Sequence, residues 1–389
     1  MSHPSHPDHG PSAGLASDGT ELPSAASTHA TGPIIVRATR AEAAGAGLRV
    51  GGLTVVERAV KQLARLPGPR VIVATDGSIT LPARLPTKVE VRQLDGATTP
   101  ESTDAALERL RAEVGAATVV AGDIVRVKAT DLAGGGHRVV DEATRRQAED
   151  AIFNDLLRGD LGLVARHLNK KISFRITRYI LCHLPVTPNQ VTLGAAAIGI
   201  VGCVLITVGT IPAIIAGLVL AQVQSILDGC DGELARVRFQ QTAIGEWLDT
   251  LVDDGLNLAL VASLGVGLAR AGLGWPAAAS AAAAVAMLLI YNVISYRELL
   301  RQGQGGELIK IRWKLTKGKD MKSVLSKPGA LSPSALFMAL GRRDTFVFGW
   351  LVLAIVHLLP VVLLWAVLIA LCYFVMAVAQ VLLPDETGS

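Results

Sequence analysis

Long apolar runs recur from about residue 190 to near the end of the chain. Runs of roughly 17–25 apolar residues are long enough to cross a bilayer as helices. They predict six transmembrane helices, near residues 191–208, 212–228, 244–268, 276–296, 345–359 and 361–382. Half of all residues are apolar and only 18% are charged, which favours an integral membrane protein over a soluble one.

Composition divides the 389-residue chain into four segments. Residues 1–33 are rich in Ser, Pro, His and Gly and predict a disordered tail, although His3, His6 and His9 could instead bind a metal. Residues 34–142 predict a folded soluble domain. Residues 143–190 mix basic and apolar side chains and predict amphipathic juxtamembrane helices, with an ordinary linker helix as the alternative. Residues 191–383 form the predicted membrane domain.

Strand and helix patterns alternate in the soluble segment. Strands are predicted in "PIIVRAT", "RVIVAT", "KVEVRQL" and "ATVVAGDIVRV". Helices are predicted in "LTVVERAVKQLARL" and in "STDAALERLRAEVG", where a Ser/Thr cap precedes the helical pattern. This alternation predicts an α/β, Rossmann-like domain with a largely parallel sheet.

Positive charge is concentrated between the fourth and fifth predicted spans. Eleven Lys or Arg residues fall there: Arg297, Arg301, Lys310, Arg312, Lys314, Lys317, Lys319, Lys322, Lys327, Arg342 and Arg343. Basic loops face the cytoplasm, so both termini, the α/β domain and the acidic segment described below are expected on the cytoplasmic side of the cell membrane. The stretch favours anionic lipid, and without interleaved aromatic residues it does not favour nucleic acid. Four cysteines without metal-ligand spacing predict reduced thiols.

Four aspartates stand at regular spacing where the second predicted span ends and the third begins. Asp228 and Asp231 are three residues apart, and Asp249 and Asp253 are four apart, so each pair shares one helix face. The short connection between them predicts an antiparallel return that brings the pairs together. Clustered carboxylates need a counter-cation, and hard oxygen ligands suit Mg²⁺ or Mn²⁺, here two ions. The alternatives are a solvated acidic loop and an ion-transport site.

Small residues and one arginine accompany the aspartates. Gly232, Ala235 and Gly245 leave room for a ligand to approach the backbone, and Arg236 can pair with a phosphate. Three further acids nearby predict capping or ion pairing rather than a part in the site: Glu233, Glu246 and Asp254. Cys230 also lies inside the segment, without a predicted role.

The segment resembles the CDP-alcohol phosphotransferase family, whose motif D-x2-D-G-x2-A-R-x8-G-x3-D-x3-D it matches at every specified position. "TPNQVTL", residues 187–193, is similar to the stretch that opens that family's first span. The resemblance implies metal-dependent transfer of a phosphoryl-alcohol group from a CDP-alcohol to an acceptor hydroxyl, with release of CMP. It also implies access for a membrane lipid, and members of the family are often homodimers.

The resemblance also implies a role for each motif residue. Asp228, Asp231 and Asp249 would hold the metal ions, and Asp253 would approach a metal and act as the general base. The CDP part of the donor would be bound by Asn189, Asp228, Gly232, Ala235, Arg236 and Gly245. Six basic residues could recognise a substrate phosphate or simply anchor the protein at the interface: Lys170, Lys171, Arg175, Arg178, Arg342 and Arg343.

The soluble segment resembles the sugar-nucleotidyltransferase fold. Ala43–Arg49 matches a short A-A-G-x-G-x-R pattern, and Asp123 stands where that family has a metal-binding aspartate. Polar "TRAE" separates the first strand from the glycines, and the usual Lys-bearing stretch is missing, so a degenerate domain is expected. The fusion resembles bifunctional enzymes that make CDP-inositol and couple it to inositol phosphate. A phospholipid synthase using CDP-diacylglycerol with glycerol phosphate, serine or inositol phosphate, and a non-catalytic nucleotide or metal receptor, are the alternatives.

Overall fold

The computed structural model describes residues 32–126, 136–157, 164–303, 306, 308, 311–314 and 340–383. Nearly all of the predicted tail, with its three histidines, and much of the basic loop lie outside these residues. The strands are β1 Ile34–Ala38, β2 Arg49–Val50, β3 Leu53–Thr54, β4 Val71–Thr75, β5 Val89–Gln93, β6 Thr118–Ala121, β7 Ile124–Val125 and β8 His137–Arg138. The main helices are α1 Ala43–Ala46, α2 Val55–Leu63, α3 Pro100–Val114, α4 Glu142–Leu157, α5 Lys170–Tyr179, α6 Pro188–Thr207, α7 Ile211–Val237, α8 Ala243–Leu268, α9 Trp275–Arg301, α10 Arg343–Ile355 and α11 Leu359–Leu382.

The N-terminal sheet has four parallel strands in the order β5-β4-β1-β6. Ile34 of the central strand β1 lies opposite Val71 on one side and Thr118 on the other. The apolar residues Ile34–Val36 are fully buried because helices cover both faces of the sheet. The predicted parallel α/β domain is therefore confirmed.

Two details of this domain differ from the sequence prediction. "ATVVAGDIVRV" is two strands, β6 and β7, because Gly122 turns the chain and donates its N–H to Arg37 O at 2.8 Å. A Cβ at Gly122 would lie only 2.5 Å from that same oxygen. The second predicted helix begins earlier than expected, and Thr99 rather than Ser102 caps it.

Five helices are long and apolar enough to cross a membrane: α6, α7, α8 with its π-helical extension to Leu273, α9 and α11. The chain is therefore a membrane protein with an N-terminal α/β domain. The fifth predicted span corresponds to α10, which has only 13 residues. At about 1.5 Å per residue it spans roughly 20 Å, less than the hydrocarbon core of about 30 Å. The predicted count of six spans is therefore not confirmed among the described helices.

One buried cluster joins the two parts of the molecule. Val50 and Val55 of the α/β domain pack with Phe153 of α4 and with Leu234 and Val237 at the end of α7. Helix α4, which falls in the predicted juxtamembrane segment, thus packs against both parts. The predicted boundaries of that segment stay predictions.

Glycines let the first two membrane helices approach each other. A Cβ added at Gly202 of α6 would lie 2.8 Å from Gly217 O, and one at Gly217 of α7 would lie 2.5 Å from Gly202 O. Both neighbouring atoms are backbone, so they cannot swing away. This contact fixes α7, the helix that carries Asp228 and Asp231.

Replacing Gly217 with alanine should destabilise the protein by about 1–3 kcal/mol, because the added methyl group overpacks a backbone contact. Thermal unfolding in detergent measures the effect. Gly194→Ala is the matched control, since a Cβ at Gly194 of α6 meets no heavy atom within 4 Å. Equal melting temperatures for the two variants would contradict the close approach.

Candidate active site

The four motif aspartates lie on two helices joined by the short connection Arg238–Thr242. Asp228 and Asp231 are in the last turns of α7, and Asp249 and Asp253 are in the first turns of α8. Thr242 caps α8, because its Oγ1 accepts a hydrogen bond from the Gly245 N–H at 3.0 Å. The regular spacing of the sequence is therefore realised on helices.

Three of the carboxylates form one cluster. Oxygen atoms of Asp228, Asp249 and Asp253 all lie within 4.8 Å of one another. Asp231 is directed elsewhere, since its carboxylate accepts hydrogen bonds from the Thr192 hydroxyl and from the Gly232 N–H. The predicted metal role of Asp231 stays a prediction, and the structure gives this residue a second task in orienting α6 against α7.

The cluster has the donor chemistry of a divalent cation site. Asp249 Oδ1 is buried and has no hydrogen-bond partner among the described residues. A buried carboxylate oxygen without a donor is energetically costly unless a cation sits beside it. The three aspartates therefore fit a divalent metal, and Asp228, Asp249 and Asp253 would be its protein ligands.

An arginine distant in sequence completes the cluster. Arg343, the first residue of α10, donates a hydrogen bond to Asp253 Oδ1. Its Nη2 donates to Gln224 Oε1 at 2.5 Å, and Gln224 lies one turn before Asp228 on α7. The sequence predicts Arg343 only as one of six basic residues for phosphate binding or interface anchoring. The sequence feature that could have indicated a role in the site is the arginine pair at 342 and 343, directly before an apolar helix.

A cavity of about 670 Å³ opens beside the cluster. It is lined by motif residues, by neighbours from α6, the connection and α8, and by two residues later in the chain: Pro188, Asn189, Thr192, Asp231, Gly232, Ala235, Arg236, Gln240, Gln241, Thr242, Gly245, Glu246, Asp249, Thr250, Asp253, Leu308 and Arg342. Of the predicted site residues, only Asp228 is absent from this lining, and it lies with Asp249 and Asp253 in the cluster.

The small residues keep this cavity open at its narrow points. A Cβ at Gly245 would stand 3.2 Å from Asn189 Oδ1, and one at Gly232 would stand 3.3 Å from Arg236 Nη2. Arg236 is exposed, and its Nε donates to Gly232 O at 2.9 Å. The predicted substrate residues thus lie around one volume, although their individual roles stay predictions.

The three acids set apart from the motif have different surroundings. Glu233 is fully buried and accepts hydrogen bonds from Lys170 Nζ at 2.9 Å, Ser173 Oγ at 2.6 Å and Thr177 Oγ1 at 2.7 Å. Its predicted ion pairing is therefore confirmed, and it ties α5 to α7. Asp254 accepts a hydrogen bond from the Tyr296 hydroxyl at 2.6 Å instead of capping or pairing. Glu246 lines the cavity, which the sequence did not predict.

The six basic residues predicted as candidates for phosphate binding also have different surroundings. Lys170 is engaged by Glu233, and Arg178 pairs with Glu149 and Asp150. Lys171 and Arg175 are exposed on α5. Arg342 lines the cavity, and Arg343 contacts Asp253. Only the last two therefore belong to the site; Cys230 is buried behind it, against Ser173 O.

The glycine-rich run of the α/β domain does not form an open turn. Ala43–Ala46 is a short helix, and a Cβ at Gly45 would lie 1.4 Å from Val139 O, which leaves no space for a phosphate at that point. Asp123 is 1% exposed and pairs with Arg138, whose Nε donates to Asp123 Oδ2 at 2.8 Å. A separate cavity of about 250 Å³ lies at the carboxyl ends of β1 and β4, beside Arg37, Arg40 and Asp76.

Comparison with known proteins identifies the family of the C-terminal part of the chain. Residues 185–340 match the model of the CDP-alcohol phosphatidyltransferase family, so this part of the chain is a domain of that family. The resemblance found in the aspartate motif is confirmed.

Several curated relatives carry the name bifunctional IPC transferase and DIPP synthase. The Thermococcus kodakarensis protein is 42% identical over 104 residues, which is 26% of this chain and 23% of the relative. The Rubrobacter xylanophilus protein is 33% identical over 188 residues, 45% of this chain and 42% of the relative. The Archaeoglobus fulgidus protein is 39% identical over 123 residues, 31% of this chain and 24% of the relative. The matches thus span less than half the length of each relative.

Proposed function

We propose that this protein transfers a phosphoryl-alcohol group from a CDP-alcohol to an acceptor hydroxyl and releases CMP. The observation that carries the proposal is spatial: the family-motif residues meet around one cavity, with three carboxylates within 4.8 Å of one another beside it. A non-catalytic receptor for a nucleotide or metal would not need Asp253 in addition to the other carboxylates.

The reaction exchanges one phosphorus–oxygen bond for another. The acceptor oxygen bonds to the phosphorus that bears the donor's alcohol, and the bond from that phosphorus to the pyrophosphate bridging oxygen breaks. CMP leaves with the bridging oxygen, and the hydroxyl proton goes to Asp253. A bound divalent metal supplies charge neutralisation on the phosphate oxygens, which phosphoryl transfer requires. We propose Mg²⁺ or Mn²⁺, as two ions.

The protein's own groups bind and align the two substrates. Asn189, Gly232, Ala235, Arg236 and Gly245 surround the volume proposed for the CDP part of the donor. Asp253 uses Oδ1 for its hydrogen bond with Arg343, so Oδ2 is the oxygen that would take the proton. Holding this carboxylate in one orientation favours proton transfer, because a general base must lie within hydrogen-bond reach of the hydroxyl.

We propose an inositol phosphate as a substrate. Two observations support this choice: the names of the relatives, and Arg342, which precedes α10 and lines the cavity, since guanidinium groups bind phosphate in a bidentate manner. The CDP-alcohol would then be CDP-inositol. A phospholipid synthase using CDP-diacylglycerol is the second candidate, favoured by the position of the site at the ends of membrane helices.

The arrangement in the membrane is part of the proposal. We place the active site, both termini and the α/β domain on the cytoplasmic side of the cell membrane, with α10 as a short fifth crossing and α11 as the sixth. A crossing shorter than the hydrocarbon core can be accommodated by local thinning of the bilayer. A homodimer is proposed on the resemblance alone. The α/β domain is proposed to be degenerate, because Val139 fills the space at Gly45 and Arg138 engages Asp123. Pyrophosphate release from CTP and inositol phosphate by the full chain would contradict that degeneracy.

The direct test follows CMP release by purified full-length protein with Mg²⁺. CDP-inositol with inositol phosphate should give CMP, whereas omission of either the acceptor or the metal should abolish it. CMP release from CDP-diacylglycerol with glycerol phosphate, serine or inositol phosphate, but not from CDP-inositol, would favour the second candidate. No CMP from any of these combinations would overturn the proposed function.

A further inference from the structure

The end of α7 has an unusual residue in a common helix-terminating motif. The Gln240 N–H donates to Ala235 O at 2.8 Å, and the Phe239 N–H donates to Arg236 O at 3.4 Å, which is the Schellman pattern. This pattern needs a positive φ, normally supplied by glycine, but here Phe239 adopts φ 55°. A bulky side chain in this conformation is rare and needs support from its surroundings.

The support comes from helix α2 and the residues after it in the α/β domain. The guanidinium groups of Arg58 and Arg65 lie 5.2 Å and 5.5 Å from the centroid of the Phe239 ring. Arg65 also donates to Phe239 O at 2.8 Å and to Gln241 Oε1 at 2.9 Å. Two arginines of the α/β domain thus contact the Phe239 ring, and one of them also binds the Phe239 carbonyl and the Gln241 side chain.

Arg58 also contacts the last residue of helix α7. Its Nη2 donates to Val237 O at 2.6 Å, and the residue is only 2% exposed. Burial lowers the pKa of the Arg58 guanidinium to about 10, which reflects the cost of removing this cation from water. Val50 O also accepts from Arg58 at 3.2 Å, and the nearby carboxylates of Glu149 and Glu57 favour the charged guanidinium.

The connection Arg238–Thr242, which contains Phe239, also lines the candidate active site. Gln240, Gln241 and Thr242 line the 670 Å³ cavity, and Thr242 caps the helix that carries Asp249 and Asp253. Any shift of Phe239 therefore changes the position of one aspartate pair relative to the other. The α/β domain therefore contacts the connection Arg238–Thr242 that joins the helix of one aspartate pair to the helix of the other.

We propose that Arg58 and Arg65 are positioning residues of the transfer site, through which the α/β domain fixes the two aspartate helices by way of Phe239. The proposal gives the α/β domain a function that does not depend on nucleotide chemistry of its own. It rests on the proposed transfer reaction for its kinetic consequences, but not for its effect on metal binding.

The test compares three variants of the full-length protein: Arg65→Met, Phe239→Gly and Lys61→Met. Arg65 is exposed, so its replacement should leave the fold intact. Phe239→Gly removes the ring but keeps the positive φ that the turn requires. Lys61→Met is the matched control, because Lys61 lies on α2 but pairs with Glu57 at 2.7 Å instead of contacting the connection.

The first readout is Mn²⁺ binding, followed by electron paramagnetic resonance without substrate. Arg65→Met and Phe239→Gly should each weaken Mn²⁺ binding about fivefold or more, while Lys61→Met keeps wild-type affinity. The second is catalysis: misplacement of reacting groups by about 1 Å can cost on the order of 100-fold. We expect kcat to fall roughly 10–100-fold in the first two variants, with a smaller change in the donor KM. The double variant should lose less than the product of the two single effects, because both changes remove the contact between Arg65 and the Phe239 ring.

Hydrogen exchange separates positioning from a general loss of stability. Amide protons of residues 235–245 should exchange faster in Arg65→Met and Phe239→Gly, while those of the sheet strands β1 and β4 stay protected. Wild-type Mn²⁺ affinity and kcat in both variants would overturn the proposal. If the wild-type protein releases no CMP, the proposed function fails, whereas weaker Mn²⁺ binding in these variants would still support the positioning role.

Discussion

Asp253→Asn should reduce CMP release by about 10²–10⁴-fold, the usual range for loss of a general acid or base. Asparagine is nearly isosteric and keeps an oxygen that can accept the Arg343 hydrogen bond, but it cannot accept the acceptor's proton. The change removes one carboxylate from the cluster as well, so the rate is measured at saturating metal. Initial rates with CDP-inositol and inositol phosphate across a range of Mg²⁺ concentrations provide the measurement.

Asp254→Asn is the matched control for this experiment. Asp254 is the next residue along α8, but its carboxylate is hydrogen-bonded to Tyr296 and is not part of the three-carboxylate cluster. Asparagine can preserve a hydrogen bond with the tyrosine hydroxyl, so the rate should change by less than about tenfold, equivalent to 1.4 kcal/mol. If both variants lost the same fraction of the CMP-release rate, the effect would come from negative charge in this part of α8. Asp253 would then not be the specific proton acceptor.

Local spacing explains why the aspartate site could be predicted from the sequence. Asp228, Asp231, Asp249 and Asp253 are separated by three or four residues within each pair, so helical periodicity alone gives their shared faces. The parallel sheet was predictable for a similar reason, since the apolar run Ile34–Val36 is continuous and buried on both sides.

Long-range contacts explain what the sequence did not reveal. Arg343 is 90 residues from Asp253, and nothing in local periodicity indicates that α10 brings them together. Arg58 and Arg65 look like solvated positions of an amphipathic helix, because their partners at Val237 and Phe239 lie in another domain. The positive φ of Phe239 was equally hidden, since the residue normally expected at such a turn is glycine.

The charge balance of the three-aspartate cluster depends on one of these long-range contacts. Arg343 contributes one positive charge beside Asp253, yet Asp228, Asp249 and Asp253 together contribute three negative charges when ionised. Like charges at this distance repel unless a cation stands among them. The metal-free protein should therefore be less stable than the metal-bound protein, and a single carboxylate deletion should affect the two states in opposite directions.

Asp249→Asn tests this expectation most sharply, because Asp249 Oδ1 lacks a partner among the described residues. Loss of this ligand should weaken Mn²⁺ binding by at least the 10–100-fold typical of changes around a metal site. The rise in melting temperature on adding Mn²⁺ should shrink accordingly, since stabilisation follows the ratio of free metal to its dissociation constant. Without metal, the variant should melt at or above the wild-type temperature, because one source of repulsion is gone.

Glu246→Gln is the control that distinguishes direct coordination of Mn²⁺ by the cluster from attraction of Mn²⁺ by the overall negative charge of the cavity. Glu246 lies three residues before Asp249 on α8 and also lines the cavity, but it is outside the group of three close carboxylates. Its replacement removes the same formal charge, so a purely electrostatic attraction of Mn²⁺ would weaken similarly in both variants. If the metal is bound by direct coordination, Asp249→Asn should lose the Mn²⁺-induced stabilisation and Glu246→Gln should retain it; the reverse result would place the cation elsewhere in the cavity.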